Sequence, residues 1–272
     1  MKVNCQRLIV IGAHPDDCEL FAGGLAAKYV CMGRAVKFVS LTNGDAGHHL
    51  QGGGALARRR RSESMEAGRV LDIEYEVLDH HDGELVPSLD VRRDVIRLIR
   101  DWQADVVLSH RPYDYHPDHR YTGMAVQDAA YMVAVPNICP AAIALRHNPF
   151  FFYLWDPFQK PYPFQPDASV AVDEVMDLKW KMIHCHQSQF YEWLPYVDGY
   201  EEAVPDGVKE RFAWLKKTWS PMMQAMTACS RKTHEKRYGK SKAAKHKFAE
   251  CFEICEYGRT PTAQDLKMIF PE

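Results

Sequence analysis

The feature that most constrains this chain is an alternation, along its first half, of short β-branched runs with segments that carry apolar residues at helical spacing. Strands are predicted over 7–12, 36–41, 75–78 and 106–108, and helices over 20–32, 56–71 and 91–102. Strands that alternate with helices form right-handed βαβ units. We therefore predict an α/β fold with a Rossmann-like, mostly parallel sheet, helices on both faces and an active site at the carboxyl ends of the strands.

The second half is less regular. Strands are predicted over 150–155 and 169–172, and a helix over 174–186. The basic stretch 231–247 is predicted to be a solvated linker, followed by a final helix in which Phe248, Phe252 and Cys255 share one face. The aromatic-rich segment 190–219 is either helix-packing core, which we favour, or a wall or lid for a sugar-like ligand. We expect a single domain over 1–272, with a Rossmann-like core at 1–135 and a less regular part at 136–272.

Charge and cysteine content limit the partners and the compartment. The chain has 34 Lys and Arg against 36 Asp and Glu, a net charge of −2, which does not favour nucleic-acid or anionic-membrane binding. Its longest early apolar run is too short for a membrane span and lacks a signal-peptide pattern, so we expect a cytoplasmic protein. The eight cysteines include no C-x-x-C pair and are predicted to be reduced. We expect a small-molecule partner, and a homo-oligomer remains open.

The first chemical motif is His14-Pro15-Asp16-Asp17, directly after the first predicted strand. An imidazole and two carboxylates crowd one turn at the edge where a doubly wound sheet has its crevice. A helix-capping aspartate beside a surface histidine explains the same residues equally well.

A second motif, from His110 to His119, follows the strand at 106–108 and reaches the same edge of the sheet. His14, Asp17 and His119 together would offer Zn²⁺ two imidazoles and one carboxylate, with a position left open for water. His116 is then either a fourth ligand or a donor to a developing oxyanion.

With these motifs the sequence resembles the LmbE-like, or PIG-L, de-N-acetylases, zinc hydrolases that remove acetyl groups from N-acetylated amino sugars. The resemblance spans most of the chain and extends to further short marks in the family's order: Gly23-Gly24, Thr42-Asn43-Gly44-Asp45, Arg60 with Glu63, Asp82-Gly83, His186-x-Ser188-Gln189 and Glu250-x-Phe252.

The resemblance implies a role for each motif residue. His14, Asp17 and His119 would hold the zinc, and Asp16 would be the general base. His116 would stabilise the oxyanion and Asp118 would orient His116, although a helix N-cap is an equal alternative for Asp118. Arg60 and Asp82 would contact substrate hydroxyls, the alternative for Arg60 being a solvated helix face.

Two positions depart from the family pattern. Asp114 occupies the place of a tyrosine, flanked by Tyr113 and Tyr115, so no tyrosine role transfers. Cys18 stands where many members have glutamate, and we interpret it as helix packing, with thiolate ligation as the alternative.

The function implied is hydrolysis of an N-acetylated amino sugar or its conjugate by zinc-activated water. One alternative is a zinc amidase that cleaves a larger sugar-thiol conjugate. Another is a non-catalytic, nucleotide-binding Rossmann-like module, which the absence of G-x-G-x-x-G and the acidic helix terminus disfavour. The glycine-rich stretch 44–54 is predicted to be a mobile loop beside the crevice that influences specificity.

Overall fold

The structure is a computed structural model that describes residues 7–272. Strands β1 to β7 are Arg7–Gly12, Ala35–Thr42, Glu74–His80, Val106–Ser109, Phe150–Leu154, Ala168–Ala171 and Ala249–Ile254. Helices α1 to α10 are Asp17–Cys31, Gly53–Leu71, Leu89–Asp101, Pro117–Met132, Met176–Cys185, Leu194–Asp198, Val208–Cys229, Arg231–Tyr238, Lys240–Ala243 and Ala263–Ile269. Short 3₁₀ turns lie at Asp173–Val175 and Glu201–Ala203, and a π-helical turn lies at Gln189–Trp193.

The predicted α/β fold is confirmed. Within residues 7–272 the strands form one seven-stranded sheet in the order β3-β2-β1-β4-β5-β7-β6. β1 pairs in parallel with β2 on one side and with β4 on the other. β7 is antiparallel to both β5 and β6, so of the described strands β7 alone runs opposite to the rest. Sequence order reverses between β1 and β4, and a sheet with such a reversal has its ligand crevice at the carboxyl ends of those two strands.

Alternate residues of β1 enter two separate cores, as the period of a strand requires. Leu8 and Val10 pack in the core that includes apolar residues of α1 and α5, and Ile9 and Ile11 pack in the core that includes those of α3 and α4. The sheet is therefore covered on both faces, which leaves its edge at the carboxyl ends of the strands as the place for a site.

The C-terminal predictions require two corrections. The segment predicted as a final helix is β7, a central strand between β5 and β6. A separation of four residues, as between Phe248 and Phe252, fits a strand period of two as well as a helix period of 3.6, so the spacing could not distinguish them. The predicted linker 231–247 forms α8 and α9, and His234 of α8 is buried, with Nδ1 2.9 Å from Ser169 Oγ of β6.

The cysteines of the described residues are free thiols, and Cys5 lies outside that part of the chain. The Cys18 thiol donates to the carbonyl groups of Val10 and Val39, each at 3.4 Å. It therefore packs against the sheet rather than toward a metal. Cys251 and Cys255 are both buried. Among residues 7–272, no helix combines the length and apolar character needed to cross a membrane.

Acid is expected to destabilise the fold through His234. Burial, together with the positive charges of His246, Arg231 and Arg237, lowers the pKa of His234 from 6.5 to about 4. The folded state therefore binds fewer protons than the unfolded state between these two values, and the free energy of unfolding falls as the pH drops through this window. Between neutral and acid pH, the free energy of unfolding should fall by about 1–3 kcal/mol less in His234→Gln than in the wild type. Urea unfolding at the two pH values measures this difference.

His147→Gln, which changes an exposed histidine, serves as the matched control and should keep the pH dependence of the wild type. The same dependence in His234→Gln and in the wild type would contradict the assignment.

Candidate metal centre and active-site cavity

The loop between β1 and α1 holds the first motif. β1 ends at Gly12, where an added Cβ would lie 2.7 Å from Cβ of Asp17, so only glycine lets the helix start this close. Asp17 Oδ2 accepts hydrogen bonds from the backbone N–H groups of Ala13 at 2.9 Å and His14 at 2.8 Å. Asp16 has a φ of 138°, a region that residues other than glycine enter only under strain. The loop thus presents two carboxylates and an imidazole in fixed directions.

The loop between β4 and α4 holds the second motif. His116 is the N-cap of α4, and its Nδ1 accepts a hydrogen bond from the backbone N–H of Asp118 at 3.2 Å. Pro117 occupies the first helical position, which needs no N–H donor. Because an accepting Nδ1 carries no proton, a neutral His116 carries its proton on Nε2.

The three predicted metal ligands converge. His14 Nδ1 lies 3.2 Å from His119 Nε2, which lies 3.5 Å from Asp17 Oδ1, and His14 Nδ1 is 3.7 Å from Asp17 Oδ2. Bonds of about 2.0–2.1 Å in tetrahedral geometry separate neighbouring ligand atoms by about 3.3 Å. The donor set and its spacing therefore fit a zinc-sized ion. His116 also lies close enough to join His14 and His119 around an ion.

The Asp118 carboxylate contacts His14 and not His116, which corrects the role implied by the resemblance. Asp118 Oδ2 lies 3.2 Å from His14 Nε2 and accepts the backbone N–H of Gly83 at 2.7 Å. Its Oδ1 accepts the backbone N–H of Leu85 at 3.3 Å. Because these bonds to the loop after β3 hold the carboxylate beside His14 Nε2, Asp118 would orient the His14 ring instead.

Two further residues of the second motif, for which no role was predicted, also contact the cluster. His110 Nε2 is 3.0 Å from Asp17 Oδ2, and the His110 ring stacks on His119 with centroids 4.2 Å apart. Asp114 Oδ1 lies 3.2 Å from His119 Nδ1, although not in hydrogen-bond geometry. His110 directly follows β4, and that position at the edge of the sheet was the signal that could have identified it.

Carboxylates dominate the charge of this cluster. Burial would lower the pKa of His14, but hydrogen bonds to Asp118 and Asp82 outweigh it and raise that pKa to about 10. Burial would raise the pKa of Asp17, but His119 and His110 lower it well below its ordinary value. The negative groups thus stabilise a positive charge at the point where the ligand atoms converge.

Arg60 does not reach the cavity, contrary to its predicted contact with substrate, and it is not on a solvated face either. It is buried, and its Nη2 donates to the carbonyl of Pro15 at 2.9 Å and lies 3.5 Å from Asp16 Oδ2. Burial raises the pKa of Asp16 to about 6, while Arg60 acts in the opposite direction. Asp82 does line the cavity, with Oδ2 3.5 Å from Arg60 Nη1 and Oδ1 3.2 Å from His14 Nε2.

The cluster opens into a cavity of about 570 Å³, a size typical of small-molecule sites. Its other walls are largely aromatic, and the segment 190–219 contributes Phe190, Trp193 and Trp219 to them. Within the same segment Tyr191 is buried and contacts Trp214. The segment therefore combines the two predicted roles, packing core on one side and cavity wall on the other.

The loop 44–54 lies beside this cavity, and Gly47 lines it. The Gly47 carbonyl accepts a hydrogen bond from Gln189 Nε2 at 3.0 Å. His48 Nε2 is 2.9 Å from Glu192 Oε2, and the His49 ring stacks on Tyr196 at 4.0 Å. These contacts attach the loop to the residues after α5, and its mobility stays a prediction.

Comparison with known proteins agrees with this geometry. Residues 9–130, which contain both motifs, match the family described as PIG-L: GlcNAc-PI de-N-acetylase. Diacetylchitobiose deacetylase from Thermococcus kodakarensis is 29% identical over 71% of this chain and 75% of its own length. The structure of diacetylchitobiose deacetylase from Pyrococcus horikoshii superposes with a TM-score of 0.69 at 27% identity, covering 95% of this chain and 88% of that one.

A relative with a different activity is 4-oxalmesaconate hydratase from Pseudomonas putida, 27% identical over 72% of this chain and 79% of its own length. The match to the family spans both motif loops and the strands that position them. The resemblance to the PIG-L, or LmbE-like, family that the paired motifs predicted is therefore confirmed over residues 9–130.

Proposed function

We propose that this protein is a metal-dependent hydrolase that removes the acetyl group from an N-acetylated amino sugar or its conjugate. The observation that carries the proposal is the convergence of His14 Nδ1, His119 Nε2 and the Asp17 carboxylate beside Asp16 in one cavity. Mixed nitrogen and oxygen ligands are typical of catalytic zinc sites. The diacetylchitobiose deacetylases among its relatives support the reaction class.

His14, Asp17 and His119 would hold the ion, which we propose is Zn²⁺. When bound there, zinc supplies Lewis acidity that lowers the pKa of water and polarises an amide carbonyl. Asp118 and Asp82 would fix the His14 ring through its Nε2.

Asp16 is the proposed general base. Its carboxylate lines the cavity, and its raised pKa of about 6 suits a group that takes a proton from water near neutral pH. Because Arg60 holds both the carbonyl of Pro15 and the Asp16 carboxylate, it would act as a positioning residue. The same carboxyl group would return the proton to the leaving nitrogen, so the products are acetate and a free amine.

His116 is the proposed oxyanion donor. With Nδ1 occupied by the backbone N–H of Asp118, the Nε2–H of a neutral ring is free to donate. Burial lowers the pKa of His116, with His14 and His119 acting in the same direction, which favours this neutral form. The ring would therefore stabilise charge as it develops on the carbonyl oxygen.

Hydration of an unsaturated acid, the second candidate, is favoured by the hydratase relative. The aromatic walls favour a sugar ring, whose apolar face stacks on such side chains. Two assays distinguish the activities. A deacetylase releases acetate from N-acetylglucosamine derivatives, whereas a hydratase removes the double bond of an unsaturated acid. A single domain, a cytoplasmic location and the oligomeric state stay predictions from the sequence.

The metal content tests the ligand set. Purified protein should contain about one equivalent of zinc, because the ligand atoms are already placed for it, and elemental analysis measures this. His119→Ala should lose both the metal and turnover, whereas His147→Ala, at an exposed histidine, should lose neither. Less than about a tenth of an equivalent of any transition metal in metal-supplemented wild type would contradict the proposal.

Asp16→Asn should keep the metal and lose activity, because Asp16 is assigned to the proton and not to the ion. Asparagine tolerates the positive φ at this position better than alanine does. We expect kcat to fall roughly 10²- to 10⁴-fold, with zinc content unchanged. Asp17→Asn is the matched comparison and should lose zinc. The reverse result would exchange the two assignments.

His116→Ala separates an oxyanion donor from a fourth ligand. Loss of a donor should lower kcat strongly, leave KM nearly unchanged and leave the zinc content near that of wild type. Loss of a ligand should weaken zinc retention. If added zinc fully restores the activity of a metal-depleted His116→Ala enzyme, the donor role is wrong.

A further inference from the structure

The cavity has two chemically different sides. One side holds the histidines and aspartates of the two motifs. The other is apolar and comes from α1, the loop after β5, the π-helical turn and α7, with Phe21, Trp155, Phe158, Phe190, Trp193 and Trp219 as its aromatic members. An amide held at the motif residues would leave the rest of the substrate in contact with these aromatic residues.

Among residues 7–272, no lysine or arginine lines this cavity. Of the nearby guanidinium groups, Arg60 is buried against the Pro15 and Gly44 carbonyls. Arg111 binds both oxygens of Asp156, at 2.6 and 2.8 Å, and is itself buried. Asp156, the one carboxylate among these apolar residues, is therefore already paired, and no arginine or lysine is available to a ligand there.

This arrangement penalises a negatively charged substituent. A carboxylate or phosphate on the apolar side would lose its hydration without gaining an ion pair. It would also share the cavity with Asp16, Asp82 and Asp114. An uncharged, apolar face would instead gain about 25 cal/mol for each Å² removed from water, and ring stacking in addition.

We propose that the substrate is an uncharged N-acylated amino sugar whose second part presents an apolar face to this wall. The proposal rests on the proposed deacetylase function and specifies its substrate. The apolar face could be that of a second sugar ring or of a hydrocarbon aglycone. Conjugates that carry a carboxylate or phosphate on that part are excluded, and so are unsaturated acids with several carboxylates.

The test measures turnover of four N-acetylglucosaminides by the metal-loaded enzyme. Three are the methyl, 4-carbamoylphenyl and 4-carboxyphenyl glycosides, and the fourth is the disaccharide with a second N-acetylglucosamine. The two substituted phenyl groups have nearly the same shape and differ in charge. We expect kcat/KM for the carbamoylphenyl glycoside to exceed that for the carboxyphenyl and the methyl glycosides by about tenfold each. A higher kcat/KM for the disaccharide would identify the apolar face as that of a second sugar ring. A higher kcat/KM for the carbamoylphenyl glycoside would identify it as that of a hydrocarbon aglycone.

A carboxyphenyl or methyl glycoside that is turned over as well as the carbamoylphenyl glycoside would overturn the proposal. Binding is measured separately through tryptophan fluorescence, because Trp155, Trp193 and Trp219 line the cavity. If no glycoside is deacetylated but affinities follow the expected order, the deacetylase function fails and the inference on charge and apolarity holds. If affinities show no such order either, both fail.

Phe158→Lys tests the same inference through the protein. Phe158 is partly exposed on the loop after β5, so the fold tolerates a change there. The new cation should raise kcat/KM for the carboxyphenyl glycoside, relative to the carbamoylphenyl glycoside, by about fivefold. Tyr257→Lys places the same charge on an exposed residue outside the cavity and should leave the ratio unchanged. If the ratio of kcat/KM for the carboxyphenyl glycoside to that for the carbamoylphenyl glycoside is the same in both variants, the aromatic wall does not contact the substrate.

Discussion

Strands β1 and β4 pair in parallel, with Ile11 opposite Ser109, and each continues at its carboxyl end into a loop that carries one of the two motifs. Because sequence order reverses between these strands, no crossover helix lies between the two loops and a crevice opens there. The two motifs lie more than ninety residues apart in the chain, yet His14 Nδ1 and His119 Nε2 are only 3.2 Å apart. The proposed ligand set would therefore depend on one strand pairing, because each loop supplies only part of it.

Buried polar contacts keep the helices around this crevice in place. The Glu250 carboxylate of β7 accepts hydrogen bonds from two backbone N–H groups of α1, at 2.8 and 2.7 Å. It also forms an ion pair with Lys179 of α5 at 2.6 Å. Glu63 of α2 accepts the backbone N–H and the hydroxyl of Ser188 at 2.9 and 2.5 Å. Buried carboxylates need such partners, and removal of one partner costs several kcal/mol. The family's weaker sequence marks are thus residues that join the C-terminal half to the core.

The strands and helices up to Ser109 and the convergence of the two motifs could be predicted, because strand periodicity and position at the sheet edge are local properties of the sequence, whereas α4 was not predicted. The contact of Asp118 with His14 could not, since it depends on backbone donors of Gly83 and Leu85 in a loop distant in sequence. The burial of Arg60, which lies within a run of arginines, could not be predicted either, because it also depends on residues distant in sequence. Long-range hydrogen bonds, rather than residue type, decided these roles.

The carboxylates around the proposed metal site would also restrict what else the cavity can hold. Asp82 and Asp118 stabilise positive charge on His14, and Asp114 lies close to His119. A divalent cation is the group that such a set accommodates, and it would neutralise only part of the negative charge. An anionic substrate would need a lysine or arginine to pair with, and the described lining contains neither. In the proposed reaction the motif residues would bind the amide and the aromatic residues would contribute affinity through apolar contact, so this charge distribution would favour neutral substrates.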